Sequence, residues 1–401
     1  MPAPPKAPAF PRRYDLDWLR VIAFGLLIFY HTGMFYVTWD WHVKSVHVSP
    51  GAEWAMMLLN PWRLALLFFI SGVALRFAAD KLGGSKLARE RVVRLGLPIL
   101  FGMIVIVAPQ SWLQLVESGE FSGSFWQFWP QYLDFGSDFS ITTPTWNHLW
   151  YVVYLLVYTL MLAPVASPLA RFMTGTGARI TEFLFAGRWG PFVALVLPVT
   201  PFILYRFTLD PYFRTTHDLT NDWANHAHSL TILMIGFLLA KDRNFWSAIR
   251  RVLPFAVTGM LLLGAVLTPL WASWDAMAES ADWNWLVWPA RIARIFYAWL
   301  AIVSMLGLAQ RYLNRPSRAL TYMTEAIFPW YILHQTITVM AGYWLTRQGL
   351  GIWVEVPLVI LATFGGCALL HELVIRRVGF LRPLFGLKPA AKMSRVPVPA
   401  E

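Results

Sequence analysis

The chain has 401 residues, of which 57% are hydrophobic, 16% aromatic and only 14% charged, with a mean hydropathy of +0.50. Soluble domains carry about 25% charged residues, so this balance excludes a disordered chain and argues against a soluble globular enzyme. The formal net charge of +11 would suggest nucleic acid in a soluble protein; here no basic motif stands apart from the loops between apolar stretches, so a membrane protein with no nucleic-acid partner is expected.

In chain order, residues 1–13 are Pro-rich and expected to form a disordered cytoplasmic N-terminus. They lack the h-region and cleavage site of a signal peptide. Apolar spans of about the 20 residues a bilayer needs follow at 18–38, 56–79, 96–117, 147–170, 190–209, 226–241, 252–274, 286–309, 321–346 and 354–376, and 389–401 reads as a disordered cytoplasmic tail. The body, 14–388, is therefore an all-α polytopic membrane domain of about ten transmembrane helices. With the N-terminus inside, the inner segments hold 26 of the 33 Lys and Arg, the outer loops three (Lys44, Arg214, Arg347), and four (Arg63, Arg206, Arg291, Arg294) lie within spans. That asymmetry predicts both termini in the cytoplasm and an even number of spans. The expected location is a bacterial-type inner membrane, crossed many times. No internal repeat is visible, which weakens a repeat-built transporter. Cys367 is alone, which excludes an intramolecular disulfide and a cysteine-based zinc site, and no metal is expected.

The outer segment 118–146 is aromatic and free of Lys and Arg, while 39–55, 210–225 and 275–285 carry Asp, Glu, Trp and His. Aromatic faces with carboxylates suit a sugar acceptor; the alternative is an aromatic belt at the headgroups.

Ionisable groups inside a membrane are costly and point to function. In the first span Arg20 and His31 are eleven residues apart, a rise of roughly 16–17 Å that comes close to three full turns. One helix stripe thus presents a cation at the cytoplasmic mouth and an imidazole past mid-membrane. The alternative is a snorkelling Arg and an unrelated buried His. Arg63, His148, Arg291, Arg294, His334, Gln335 and Glu355 lie in or at the ends of other spans; so many polar groups imply a shared wet cavity. The inner loop 80–95 carries Lys86, Arg89, Arg91 and Arg94, a cluster suited to phosphate or, alternatively, a positive-inside anchor.

Several segments resemble the membrane-bound acyltransferase-3 family: Arg20-x10-His31, Phe68-Phe69-Ile70-Ser71-Gly72, Arg91-x-x-Arg94 with Leu95-Gly96-Leu97-Pro98, His148-Leu149-Trp150-Tyr151, and Tyr331-Ile332-Leu333-His334-Gln335. The run His371-Glu372-Leu373 through Arg382-Pro383-Leu384-Phe385-Gly386 is similar to the branch holding the succinyltransferase of periplasmic glucans. The order and spacing match over roughly 14–388; one departure is Glu90, where a basic residue is usual.

The resemblance implies an O-acyltransferase, of acetyl or succinyl type, moving an acyl group from cytoplasmic acyl-CoA to a hydroxyl of an extracytoplasmic glycan or other acceptor. Its partners would be acyl-CoA as co-substrate, that acceptor and the lipid bilayer, with no permanently bound cofactor. His31 is the expected general base and Arg63 the oxyanion donor. Arg20, Lys86, Arg89, Arg91 and Arg94 are expected to bind the donor. Ser71, His148, Trp150, Arg291, Arg294, His334, Gln335 and Glu355 are expected to support the site or the acceptor. The competing reading is a proton-coupled transporter or flippase of a glycan or lipid-linked substrate, which intramembrane His and Arg serve equally.

Overall fold

A computed structural model describes residues 12–135 and 138–389. It is all-helical, with no strand among the described residues. The expected disorder of the N-terminus and tail falls almost wholly on residues 1–11 and 390–401, outside that range. The helices that build the site are α1 (Tyr14–Met34), α2 (Arg63–Leu82), α3 (Gly84–Glu117), α4 (Trp150–Thr174), α5 (Gly190–Thr208), α6 (Trp223–Leu239), α7 (Arg243–Ala272), α8 (Val287–Tyr312), α9 (Arg318–Leu345) and α10 (Ile352–Leu370). Seven of them, α2, α3, α4, α5, α7, α8 and α10, are long and apolar enough to cross a membrane. The others, α1, α6 and α9, occupy the stretches where spans one, six and nine are expected. Their chemistry separates them from the seven: α1 opens with Asp15, Asp17 and Arg20, α6 has only 17 residues, and α9 carries Glu325, His334 and Gln335.

Local chemistry sets the ends. Asp15 and Asp17 sit in the first turn of α1, where the helix dipole favours carboxylates, and Arg13 Nη2 meets Asp15 at 2.6 Å. Asp242 caps α7 by accepting from the Phe245 N–H at 2.6 Å. Gly83, at φ +70°, makes the turn between α2 and α3. Beyond it the chain is helical from Gly84 onward, so the expected inner loop 80–95 is mostly a helix that puts Lys86, Arg89, Arg91 and Arg94 on one continuous element. Two stretches of that element, Val92–Gly96 and Gly102–Ile106, are π-helical.

The backbones of α2 and α6 approach each other closely. A Cβ on Gly72 would run into the Leu233 carbonyl, and one on Gly236 into the Phe69 carbonyl. The glycine of the Phe-Phe-x-Ser-Gly segment is therefore a packing residue, as small residues are wherever membrane helices touch closely. At the centre, Phe24 of α1, Phe68 of α2, Tyr151 of α4 and Tyr331 of α9 meet as a plug of buried rings. Phe24–Tyr331 centroids are 5.0 Å apart, Phe68–Tyr151 4.7 Å and Phe24–Tyr151 6.0 Å. Ser71 Oγ and Tyr151 Oη, 2.7 Å apart, tie the plug to α2.

Candidate functional site

On one side of the plug lies a cavity of about 1150 Å³. Its walls come from the end of α1 and the segment after it, the starts of α2, α4 and α6, the end of α5, the first half of α8 and the middle of α9. Its mouth is framed by the loops around 142–147 and 210–218. His31, Arg63, His148, Trp150, Arg294 and Gln335, six of the residues expected from the sequence, line it together.

His31 is the hub. Its Nδ1 lies 2.7 Å from Nε2 of His334, a ring buried behind the wall, whose Nδ1 is 2.6 Å from the Tyr331 carbonyl. His148 stands edge-on to both rings, at centroid distances of 6.4 and 5.1 Å, and donates from Nε2 to the Ile332 carbonyl at 3.0 Å. Beside them runs a chain of amides of which the expected site residues included only Gln335. Gln335 Nε2 donates to His42 Nε2 at 2.9 Å and to Gln110 Oε1 at 3.0 Å, His42 Nδ1 donates to Gln114 Oε1 at 2.6 Å, and Asn147 Nδ2 donates to Gln110 Oε1 at 3.1 Å. Gln110 and Gln114, amides within an otherwise apolar span, were the sequence signal for it.

The cavity is rich in cations. Arg63 donates to Asn60 Oδ1 at 2.8 Å and lies 3.5 Å over the Tyr30 ring. Arg206 pairs with Asp210 at 2.9 Å, and His228 Nε2 is 2.9 Å from the same carboxylate. Burial works to raise Asp210, and the His228 hydrogen bond with the Arg206 charge outweighs it, holding the carboxyl below its ordinary value. Arg294 has neither a hydrogen bond nor an ion pair among the described residues. Arg206, Asp210 and His228 were not among the expected site residues, although Arg206 stood out as a charge inside an expected span.

The mouth loop is held by Asp222, which is fully buried. It accepts from Tyr154 Oη (2.6 Å), Asn225 Nδ2 (2.7 Å) and the N–H groups of Thr216 (3.0 Å) and His217 (3.1 Å). Burial pushes its pKa up, but these bonds prevail and hold it below the ordinary carboxylate range. His217, at φ +62°, stacks on Trp150 at 4.1 Å.

Other expected residues lie elsewhere. Ser71 is behind the plug. Arg291 packs on Trp274 and Trp288 rather than in the main cavity. Glu355 is buried in the first turn of α10, where Ser45 Oγ donates to it at 2.6 Å, because the loop after α1 reaches over to it. Arg20 shares α1 with His31 but lies across the plug, 3.4 Å from Asp17. Arg91 and Arg94 both meet Glu90, at 3.3 and 3.4 Å, and Lys86, Arg89 and Arg94 are exposed. The acidic residue that departs from the usual pattern is thus the ion-pair partner of both arginines. No group of His, Cys, Asp or Glu able to hold a metal occurs among the described residues.

Residues 13–372 match the profile of an acyltransferase domain. The chain is similar to Glucans biosynthesis protein C of Escherichia coli O6:K15:H31 (strain 536 / UPEC), 22% identical over 401 residues that cover 97% of this chain and 98% of that protein. The proteins of the same name from Escherichia coli O1:K1 / APEC and from strain K12 / DH10B are also 22% identical with the same coverage. No solved structure matches. The matched region runs from the start of α1 past the end of α10, and the chain belongs to the acyltransferase-3 family, as a multi-pass membrane acyltransferase.

Proposed function

We propose that the chain transfers an acyl group from cytoplasmic acyl-CoA to a hydroxyl of an extracytoplasmic glycan, with His31 as the general base. The observation that carries this reading is the placing of His31 in a large cavity on the same helix whose other end, with Arg20, lies across the plug. On this reading α1, α6 and α9 span with the seven apolar helices, giving ten spans with both termini cytoplasmic in a bacterial inner membrane. The domain is 14–388, and the cavity opens outward.

The acceptor hydroxyl gives its proton to His31 as its oxygen bonds to the thioester carbonyl carbon. Arg63 faces the resulting oxyanion. Collapse breaks the C–S bond, and the CoA thiolate takes the proton back from His31. Arg20, with Lys86, Arg89, Arg91 and Arg94, meets the CoA phosphates. His148, Trp150, His334 and Gln335 shape the acceptor side; Ser71, through Tyr151, sets the plug that the pantetheine arm must displace. Arg291 and Glu355 support the helix ends. Of acetyl and succinyl, the cationic cavity with its unpaired Arg294 favours an acyl group ending in a carboxylate. The relatives' name supports a glucan as the acceptor.

The closed plug also fits a transporter caught open to one side. The test is incubation of purified protein with labelled acyl-CoAs and periplasmic glycans, followed by mass spectrometry. The acyltransferase labels a glycan and slowly releases CoA without one; a transporter does neither.

A further inference from the structure

We infer that His334 is a positioning residue, which keeps the proton of His31 on Nδ1 and so holds the lone pair of its Nε2 toward the cavity. This rests on the reading of His31 as the base.

The Tyr331 carbonyl can only accept, and His334 Nδ1 lies 2.6 Å from it, so that nitrogen carries the hydrogen. A neutral imidazole has one N–H, which leaves His334 Nε2 with a lone pair alone. Nε2 is 2.7 Å from His31 Nδ1. Two lone pairs do not face each other at that distance, so His31 Nδ1 carries the hydrogen between them. The rings are parallel to within 5° with centroids 5.0 Å apart, which sets the N–H of one along the in-plane lone pair of the other. His31 is left with its lone pair on Nε2, a nitrogen that has no partner among the described residues, and the side chain lines the cavity.

The surroundings keep this order. His148 donates its own N–H to the Ile332 carbonyl and meets the His31 ring only edge-on, at 6.4 Å, so it does not draw the His31 proton away from His334. The His334 ring is fully buried, and the next turn of α9 is held by Thr338 Oγ1 donating to the His334 carbonyl at 2.8 Å. The titratable and charged groups facing the pair are His148, His42, Arg63, Tyr30 and Tyr331, none of them a carboxylate. A neutral imidazole therefore does what a carboxylate does in many base–orienter pairs. When His31 takes the acceptor proton on Nε2, its Nδ1–H···Nε2 bond to His334 becomes charge-assisted and strengthens in the transition state. The Nδ1 proton stays between the two rings, and the one taken up on Nε2 passes on to the CoA thiolate.

The probe is CoA release from succinyl-CoA and acetyl-CoA by the purified full chain. His334→Leu removes the acceptor and should lower kcat by about a hundredfold or more, within the range known for losing the group that orients a catalytic imidazole. KM for the donor should not move. His334→Gln keeps an oxygen able to accept and should recover much of the loss. The double variant His31→Gln/His334→Leu should be no slower than His31→Gln alone. Normal kcat in a folded His334→Leu, or a further loss in the double variant, overturns the inference. A fast His31→Gln fails the base reading instead, whatever His334 does. Should His334→Leu not fold, 15N NMR of histidine-labelled wild-type chain decides. The signals that vanish in His31→Gln should be those of an Nδ1–H imidazole, and an Nε2–H imidazole there overturns the inference.

Discussion

Replacing Arg294 by Met removes a charge but keeps most of the side chain's bulk. Arg63 is committed to Asn60 and the Tyr30 face, and Arg206 to Asp210. Arg294 is the guanidinium of the three whose donors are unspent, so it has most to give to an arriving anion. A hydrogen bond to a charged group contributes about 1.5–3 kcal/mol, which is roughly 10- to 150-fold in a rate or binding constant. The expected result is a loss of that size in kcat/KM for succinyl-CoA with little change for acetyl-CoA. The empty cavity also loses a repulsion, because Arg294 faces Arg63 and Arg206. The variant should therefore melt no lower than the wild type in detergent. Donor-specific loss with undiminished stability separates ligand binding from packing. An equal loss for both donors, or none for either, refutes the anionic subsite.

In His31→Gln, transfer should fall by about 10² to 10⁴, the worth of a general base, with donor binding intact; the variant should also lose the acid limb of the wild-type rate profile. Gly72→Ala places a methyl group against the Leu233 carbonyl and 2.9 Å from the Phe237 nitrogen. It should cost at least about 1–3 kcal/mol, seen as a lower melting point, whereas Gly25→Ala, with open space around it, should be silent. Asp222 has a folded pKa below its unfolded value. Its contribution is fully present above about pH 4 and is lost as pH falls through the folded value. Proteolysis of the 213–222 loop should therefore stay slow down to that range and rise only below it, while Asp222→Asn should be cleaved quickly at neutral pH. Arg91→Ala/Arg94→Ala should weaken acyl-CoA binding a few-fold, and most at low salt, because these side chains are partly exposed and already shared with Glu90.

Helix positions were legible because apolar length is a local property. The spans expected at 147–170 and 190–209 appear as α4 and α5 to within a few residues at most ends. Polar groups inside spans were also legible, and His31, Arg63, His148 and Arg294 do share a cavity. What spacing along one helix did not reveal is what stands between two of its residues. Arg20 and His31 lie on α1, yet Phe24, on the same helix, joins rings from α2, α4 and α9 to part them. Glu355 counts as an intramembrane acid by position, and only the path of the loop through Ser45 explains where it sits. Asp222 and His42 lie in loops, where no periodicity marks a partner. Their roles come from contacts with residues 68 and 293 positions away in the chain.

The ring plug has an electrical consequence. Across an energised membrane each elementary charge moved through the field is worth about 2.3 kcal/mol per 100 mV. A wet cavity on one face and a basic mouth on the other, joined without interruption, would let ions run down that gradient. Four buried rings, tilted or edge-on to one another, with the Tyr151 and Tyr331 hydroxyls taken up by Ser71 and the His148 carbonyl, leave little polar surface to carry a bare ion. On the proposed reaction, the side chains that part for a slender thioester arm are the ones that insulate the bilayer between turnovers. Trimming Tyr151 to Ala should show up first as a conductance in reconstituted bilayers, even before any change in turnover is measured.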